Sequence, residues 1–147
     1  FSNDSTLQQM TIWGINKMSD IVSIASLVLN AQIHQHQKDY SKSIALFKKA
    51  IAMEDALNYQ EPPDWFFSIR HELGDVLTDA SKYQDAIKTY SEDLTWWPKN
   101  GWALSGLKKV YTLTKNAAEL NKVENQLTDV WGYADTELDG SMVKSLK

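Results

Sequence analysis

At 147 residues, 43% apolar and 23% charged, the chain has the size and balance of one globular domain with a real core. A net charge of −4 and a pI near 5.3 leave no basic footprint for nucleic acid or an anionic membrane, and no block of like charges is long enough to act as a tail. The absence of cysteine excludes disulfides, thiol catalysis and cysteine-ligated zinc, and leaves the compartment open between cytoplasm and periplasm.

The chain opens at Phe1, without methionine or a charged-then-apolar leader, and is expected to be a fragment of a longer protein. Residues 1–16 are poorly patterned and read as a lead-in. Then the spacing turns helical. Ile21, Ile24, Leu27, Val28 and Ala31 form one stripe, in an apolar run too short to cross a bilayer. Tyr40, Ile44, Phe47, Ala50 and Ile51 form a second, which "MEDALNYQ" is expected to extend until Pro62 and Pro63 stop it. Asp64 is a candidate N-cap for a third helix carrying Phe66, Ile69, Leu73, Val76 and Leu77. A fourth runs from Tyr83 through Ala86, Ile87, Tyr90 and Leu94 to Pro98. Asn100 caps a fifth, with Leu104, Leu107, Val110 and Tyr111, and a sixth uses Leu120, Val123, Leu127, Val130 and Trp131. The segment 137–147 is a polar tail with too little to bury. With 3 prolines, 6 glycines and no strict alternation, an all-β fold is argued against, and the helical periodicity leads to an all-α expectation.

The helices repeat. Tyr40, Ile44, Phe47 and Ile51 align with Tyr83, Ile87, Tyr90 and Leu94 at an offset of 43 residues, and Leu73 and Leu77 align with Leu107 and Tyr111 at 34. A 34-residue helix–turn–helix unit resembles the tetratricopeptide repeat (TPR). The middle unit carries the motif best, through Leu73-Gly74, Leu77, Tyr83, Ala86, Tyr90 and Pro98. Beyond the generic unit, EPPDWFFSIRHELG, EDL and PKNGWALSGL are similar to the C-terminal repeat region of a group of bacterial TPR proteins, over about residues 17–135. The resemblance implies a right-handed superhelical stack of about three hairpins, roughly 17–60, 64–98 and 101–136, with Gly74 and Ala86 facing each other where the middle hairpin is closest. It also implies a non-catalytic module that binds a protein or peptide on its concave face, with no cofactor. A structural cap or a self-association domain of a longer repeat protein is the alternative.

Carried over position by position, the family's groove comprises Gln32, Gln35 and His36, then His71, Asp75, Thr78 and Asp79, then Trp102 and Lys109. Asp75 and Asp79, one turn apart, would favour a basic or amide-rich peptide, with Trp102 as a stacking anchor. Six tryptophans suggest a second feature, an exposed cluster of Trp65, Trp97 and Trp102, while Trp13 and Trp131 fall on amphipathic stripes expected in the core.

Catalytic patterns are weak. His71-Glu72 would need a second histidine at i+4 to form a zinc-protease helix, and that position holds Asp75, without a third ligand. His34 and His36 point to different sides of a helix. Glu92 and Asp93 diverge by about 100° and are expected on a solvated face or in a salt bridge to a neighbouring helix. The expectation is no catalytic residue and no metal.

Overall fold

The helical periodicity is realised almost throughout the computed structural model, which describes residues 4–143; the outermost positions of the lead-in and of the tail, 1–3 and 144–147, lie outside the described residues. In chain order come α1 (Ser5–Gln9), β1 (Thr11–Ile12), β2 (Asn16–Lys17), α2 (Met18–His36), α3 (Tyr40–Glu54), α4 (Ile69–Asp79), α5 (Tyr83–Trp96), α6 (Gly101–Leu113), α7 (Ala117–Trp131), β3 (Leu138–Asp139) and β4 (Met142–Val143). The class is all-α, with two small antiparallel ribbons, β1–β2 and β3–β4. Neighbouring helices pack as pairs, α2 on α3 and α6 on α7, with α5 also against α6. The chain divides into two compact units, one ending at Ile69 and one beginning at Arg70.

The sequence repeat recurs in the backbone. Lys38, Ser81 and Lys115 each follow a helix with φ near +60° (61°, 58° and 56°), at the same 43- and 34-residue offsets. The next amide in each case reaches back five residues, Asp39 to His34, Lys82 to Leu77 and Asn116 to Tyr111. Three Schellman turns thus close three helices, and the left-handed residue in each re-aims the chain into the following helix.

In the first unit, Ile24, Val28 and Ala31 of α2 and Phe47 and Ala50 of α3 are buried, as their spacing requires. The segment joining α3 to α4 differs from expectation. Helix α3 ends at Glu54, so "ALNYQ" does not extend it, and α4 begins only at Ile69. Asp64 caps no helix; its Oδ2 accepts a 2.7 Å hydrogen bond from Asn16 Nδ2. The first amide of α4, on Ile69, is instead taken by the Glu54 carboxylate at 3.2 Å. A carboxylate outside the segment thereby replaces the local cap. Trp65, Phe66 and Phe67 therefore lie on irregular backbone rather than around a helical turn, with tilted ring contacts at 6.0 and 6.3 Å.

The lead-in is ordered by the same residue. Asn16, buried on β2, donates to the Asn58 carbonyl at 2.9 Å and accepts the Asn58 amide at 2.8 Å, while its Nδ2 also holds Asp64. Asn16→Ala is expected to cost about 2 kcal/mol, because three groups lose their partner where water enters poorly. Urea denaturation checks this, and a loss within 0.5 kcal/mol (about the scatter of an ordinary surface substitution) would refute the clamp. Trp13, expected in the core, sits in the three-residue loop between β1 and β2 with φ 52° and is 84% exposed. Its ribbon position, not a helical stripe, sets its direction.

Candidate functional site

Two glycines locate the site. A Cβ added to Gly74 of α4 or to Gly106 of α6 would stand 2.3 Å from ring carbons of Tyr90 on α5. The Tyr90 ring is therefore held between two bare backbones and is 1% exposed. The side chain that closes on Gly74 is Tyr90, one turn beyond Ala86 on α5, and Ala86 is itself fully buried.

The tyrosine hydroxyl lies 3.0 Å from Ser141 Oγ, and Ser141 Oγ donates to the His71 carbonyl at 2.8 Å. The chain of donors is then Tyr90 O–H to Ser141 O–H to the backbone of α4. Ser141 is 0% exposed, so the expected polar tail is in part a buried element. It belongs to the β3–β4 ribbon, whose two-residue loop is Gly140-Ser141. Gly140 has φ +67°, and Ser141 does not have a positive φ, the pattern of a II′ turn that fits tight hairpins. A Cβ on Gly140 would also meet Lys109 Cδ at 2.8 Å. Beside this turn, Lys109 Nζ of α6 lies 3.7 Å from Asp75 Oδ1 and 3.7 Å from Asp139 Oδ1.

Burial, first, and the neighbouring Asp75 and Asp79 carboxylates push the Tyr90 phenol well above its ordinary value of 10.0. The folded chain therefore keeps a proton that the unfolded chain releases. Stability from this group is intact below pH 10 and is lost as pH rises beyond it. Tyr111, raised mainly by burial, adds in the same direction. The midpoint of urea unfolding is expected to fall between about pH 10 and 11.5 more steeply in the parent than in Tyr90→Phe; equal slopes would overturn this account.

Behind the turn is a buried polar cluster. His71 Nε2 lies 3.2 Å from Asp93 Oδ2, and the Asn100 amide nitrogen lies 2.6 Å from that Nε2 and 2.7 Å from that Oδ2. Asn100 Oδ1 accepts the Trp102 amide at 3.1 Å, so capping α6 fixes which way the amide faces. Its amide nitrogen therefore faces both His71 Nε2 and Asp93 Oδ2. One cap residue ties α4, α5 and α6 together.

Several expected groove residues occupy other places. His71 and Thr78 are buried at 2% and 5%, rather than lining an open face, because the Ser141 turn covers the His71 carbonyl and Thr78 Oγ1 bonds back to the Gly74 carbonyl. Asp93 is likewise buried, not solvated, and of the two adjacent carboxylates only Glu92 faces outward, 3.9 Å from Lys88. Asp75 is offset by Lys109, so a basic peptide there would meet a charge already compensated. Asp79 is exposed. Trp102 is half-buried, and its ring and that of Trp131 meet in a T-shaped contact at 5.4 Å. Gln32 and His36 are exposed and Gln35 half-buried, all on α2 of the first unit. In the aromatic trio, Trp97 is exposed and Trp65 half-buried, with Trp65 in the first unit and Trp97 and Trp102 in the second. Trp131 is half-buried and lies over Gly101, where an added Cβ would be 2.3 Å from its ring.

His71 and Asp75 at i,i+4 turn to different partners, Asp93 with Asn100 and Lys109. Among the described residues no group of three His, Cys, Asp or Glu side chains is arranged to hold a metal, and no helix is long and apolar enough to cross a membrane. Sequence reasoning missed Asp139, Gly140 and Ser141. The available signal was the Asp-Gly step between Leu138 and Met142, a hairpin turn pattern. No protein-family model matches the chain, and no curated protein matches it.

Proposed function

We propose that the chain is a non-catalytic peptide-binding module built of TPR-like hairpins, for which the resemblance implies a right-handed superhelical stack. The observation that carries this reading is Ser141: a short turn of polypeptide lies on the α4 and α6 face and satisfies the Tyr90 hydroxyl, the His71 carbonyl and Lys109. A surface that accepts one such segment has the hydrogen-bond groups and the relief to accept a peptide. The recurring Schellman turns support the repeat assignment. The non-catalytic part is supported by the His71 ring, which is buried and engaged by Asn100, while Ser141 Oγ meets the His71 carbonyl and not its ring.

The test is a displayed peptide library panned on the chain and counter-screened on Lys109→Glu. Enriched peptides that lose binding to the variant are expected. Enrichment that the variant leaves unchanged, or none, would favour the second reading. That reading is a structural cap or self-association domain of a longer protein, for which the covered face also speaks.

A further inference from the structure

We propose that the face made by His71, Asp75, Tyr90 and Lys109 is specific for a turn of sequence acidic-Gly-Ser. The chain's own Asp139-Gly140-Ser141 is its resident occupant, displaceable by the same turn on a partner protein. The inference rests on the peptide-binding reading and supplies the chemistry of its ligand.

Each position of the turn meets a different demand. Lys109 is flanked by Asp75 on α4, which leaves its other side for one acidic residue, the place Asp139 takes. The next residue must have a positive φ and no side chain, because a Cβ would strike the Lys109 stem at 2.8 Å; only glycine meets both conditions. The third must both accept from a phenol and donate to a carbonyl across 3.0 and 2.8 Å, which a small hydroxyl does. Threonine's extra methyl would enter a site where Ser141 is already fully buried.

The resident turn is held by little else. Its strands are two residues each, too short to be stable by themselves. The Lys109–Asp139 pair is partly exposed and long at 3.7 Å, hence weak. What favours it is tethering. Only residues 132–137 separate it from α7, which gives an effective concentration in about the millimolar range. A partner must exceed that, so the resident turn sets a threshold for binding.

The experiment uses a fluorescently labelled cyclic peptide of sequence TELDGSMV, residues 136–143, titrated by anisotropy into three chains. They are the parent, Gly140→Val and Gly140→Val/Lys109→Glu. At least tenfold tighter binding to Gly140→Val than to the parent is expected, with loss to background on adding Lys109→Glu. A Gly140→Val chain with parental helical circular dichroism that binds no better than the parent would overturn the proposal, as would binding indifferent to Lys109→Glu. Should Gly140→Val fail to fold, Ser141→Ala and native-state amide exchange of the parent decide. The proposal expects ribbon amides that exchange by local opening and tighter peptide binding to Ser141→Ala. Ribbon exchange only through global unfolding sinks it. Lys109-dependent library peptides that lack an acidic-Gly-Ser turn would also end this proposal, while leaving the peptide-binding reading intact.

Discussion

Gly74→Ala is expected to destabilise the chain by about 2 kcal/mol, against the ordinary preference of a helix for alanine. Inside a helix alanine is favoured over glycine by about 1 kcal/mol. Here the new methyl would sit 2.3 Å from two carbons of the Tyr90 ring. The ring has nowhere to go, since Gly106 presses on it at the same distance, and the side chain is buried. Overpacking of this kind costs about 1–3 kcal/mol, and the closeness of the contact puts it at the upper end, so the clash outweighs the propensity gain. The decisive measurement is a cycle with Tyr90→Leu. In that background the clash is gone, and Gly74→Ala is expected to be neutral or stabilising by urea denaturation. A sign that stays destabilising would mean the ring is not what keeps residue 74 bare. Gly74→Ala and Gly106→Ala together should cost more than the two singly, because both press on one ring.

The second large effect separates a helix cap from a polar hub. Asn100 and Asn116 hold equivalent places, each the N-cap of a helix with Oδ1 accepting a backbone amide. Asn116 does nothing further in an exposed setting. Its replacement by alanine is expected to cost about 1 kcal/mol, the usual worth of a cap. Asn100 also donates to Asp93 and lies 2.6 Å from the His71 ring, both buried. Asn100→Ala is expected to cost about 3 kcal/mol, since a buried group left without its partner adds about 1–3 kcal/mol to the cap loss. Asn100→Asp would preserve the cap but place a carboxylate against Asp93, and is expected to be at least as damaging. Equal costs for Asn100→Ala and Asn116→Ala would show that the cluster adds nothing to stability.

The cluster and the turn also bear on function. His71, the residue whose neighbours most invited a catalytic or groove reading, has its ring engaged by Asn100 and its carbonyl by Ser141. Its role is to connect the buried cluster to the face where the turn docks. On the proposed peptide-binding reading, damage to the cluster is expected to weaken binding as well as stability.

What the sequence by itself determined is local. Apolar residues at helical spacing placed α2, α5, α6 and α7 to within a few residues and the start but not the end of α3, and the Asn100 cap was legible because an Asn cap acts on an amide two or three residues away. The 43- and 34-residue offsets carried through to the three Schellman turns, because the same apolar pattern asks for the same hairpin each time. Tertiary structure alone decided the rest. Asp64 looked like a cap, but Asn16, 48 residues away, takes its carboxylate, and Glu54 serves the start of α4 instead. Residues 137–143 looked too polar to pack, since their apolar content is small. Glu137 and Asp139 are exposed, but Gly140 and Ser141 are buried, with Ser141 donating to a carbonyl 70 residues away. No periodicity records such a partner. Whether a polar residue lies in an open groove or under a turn depends on which distant segment can satisfy it, and that is settled only when the chain has folded.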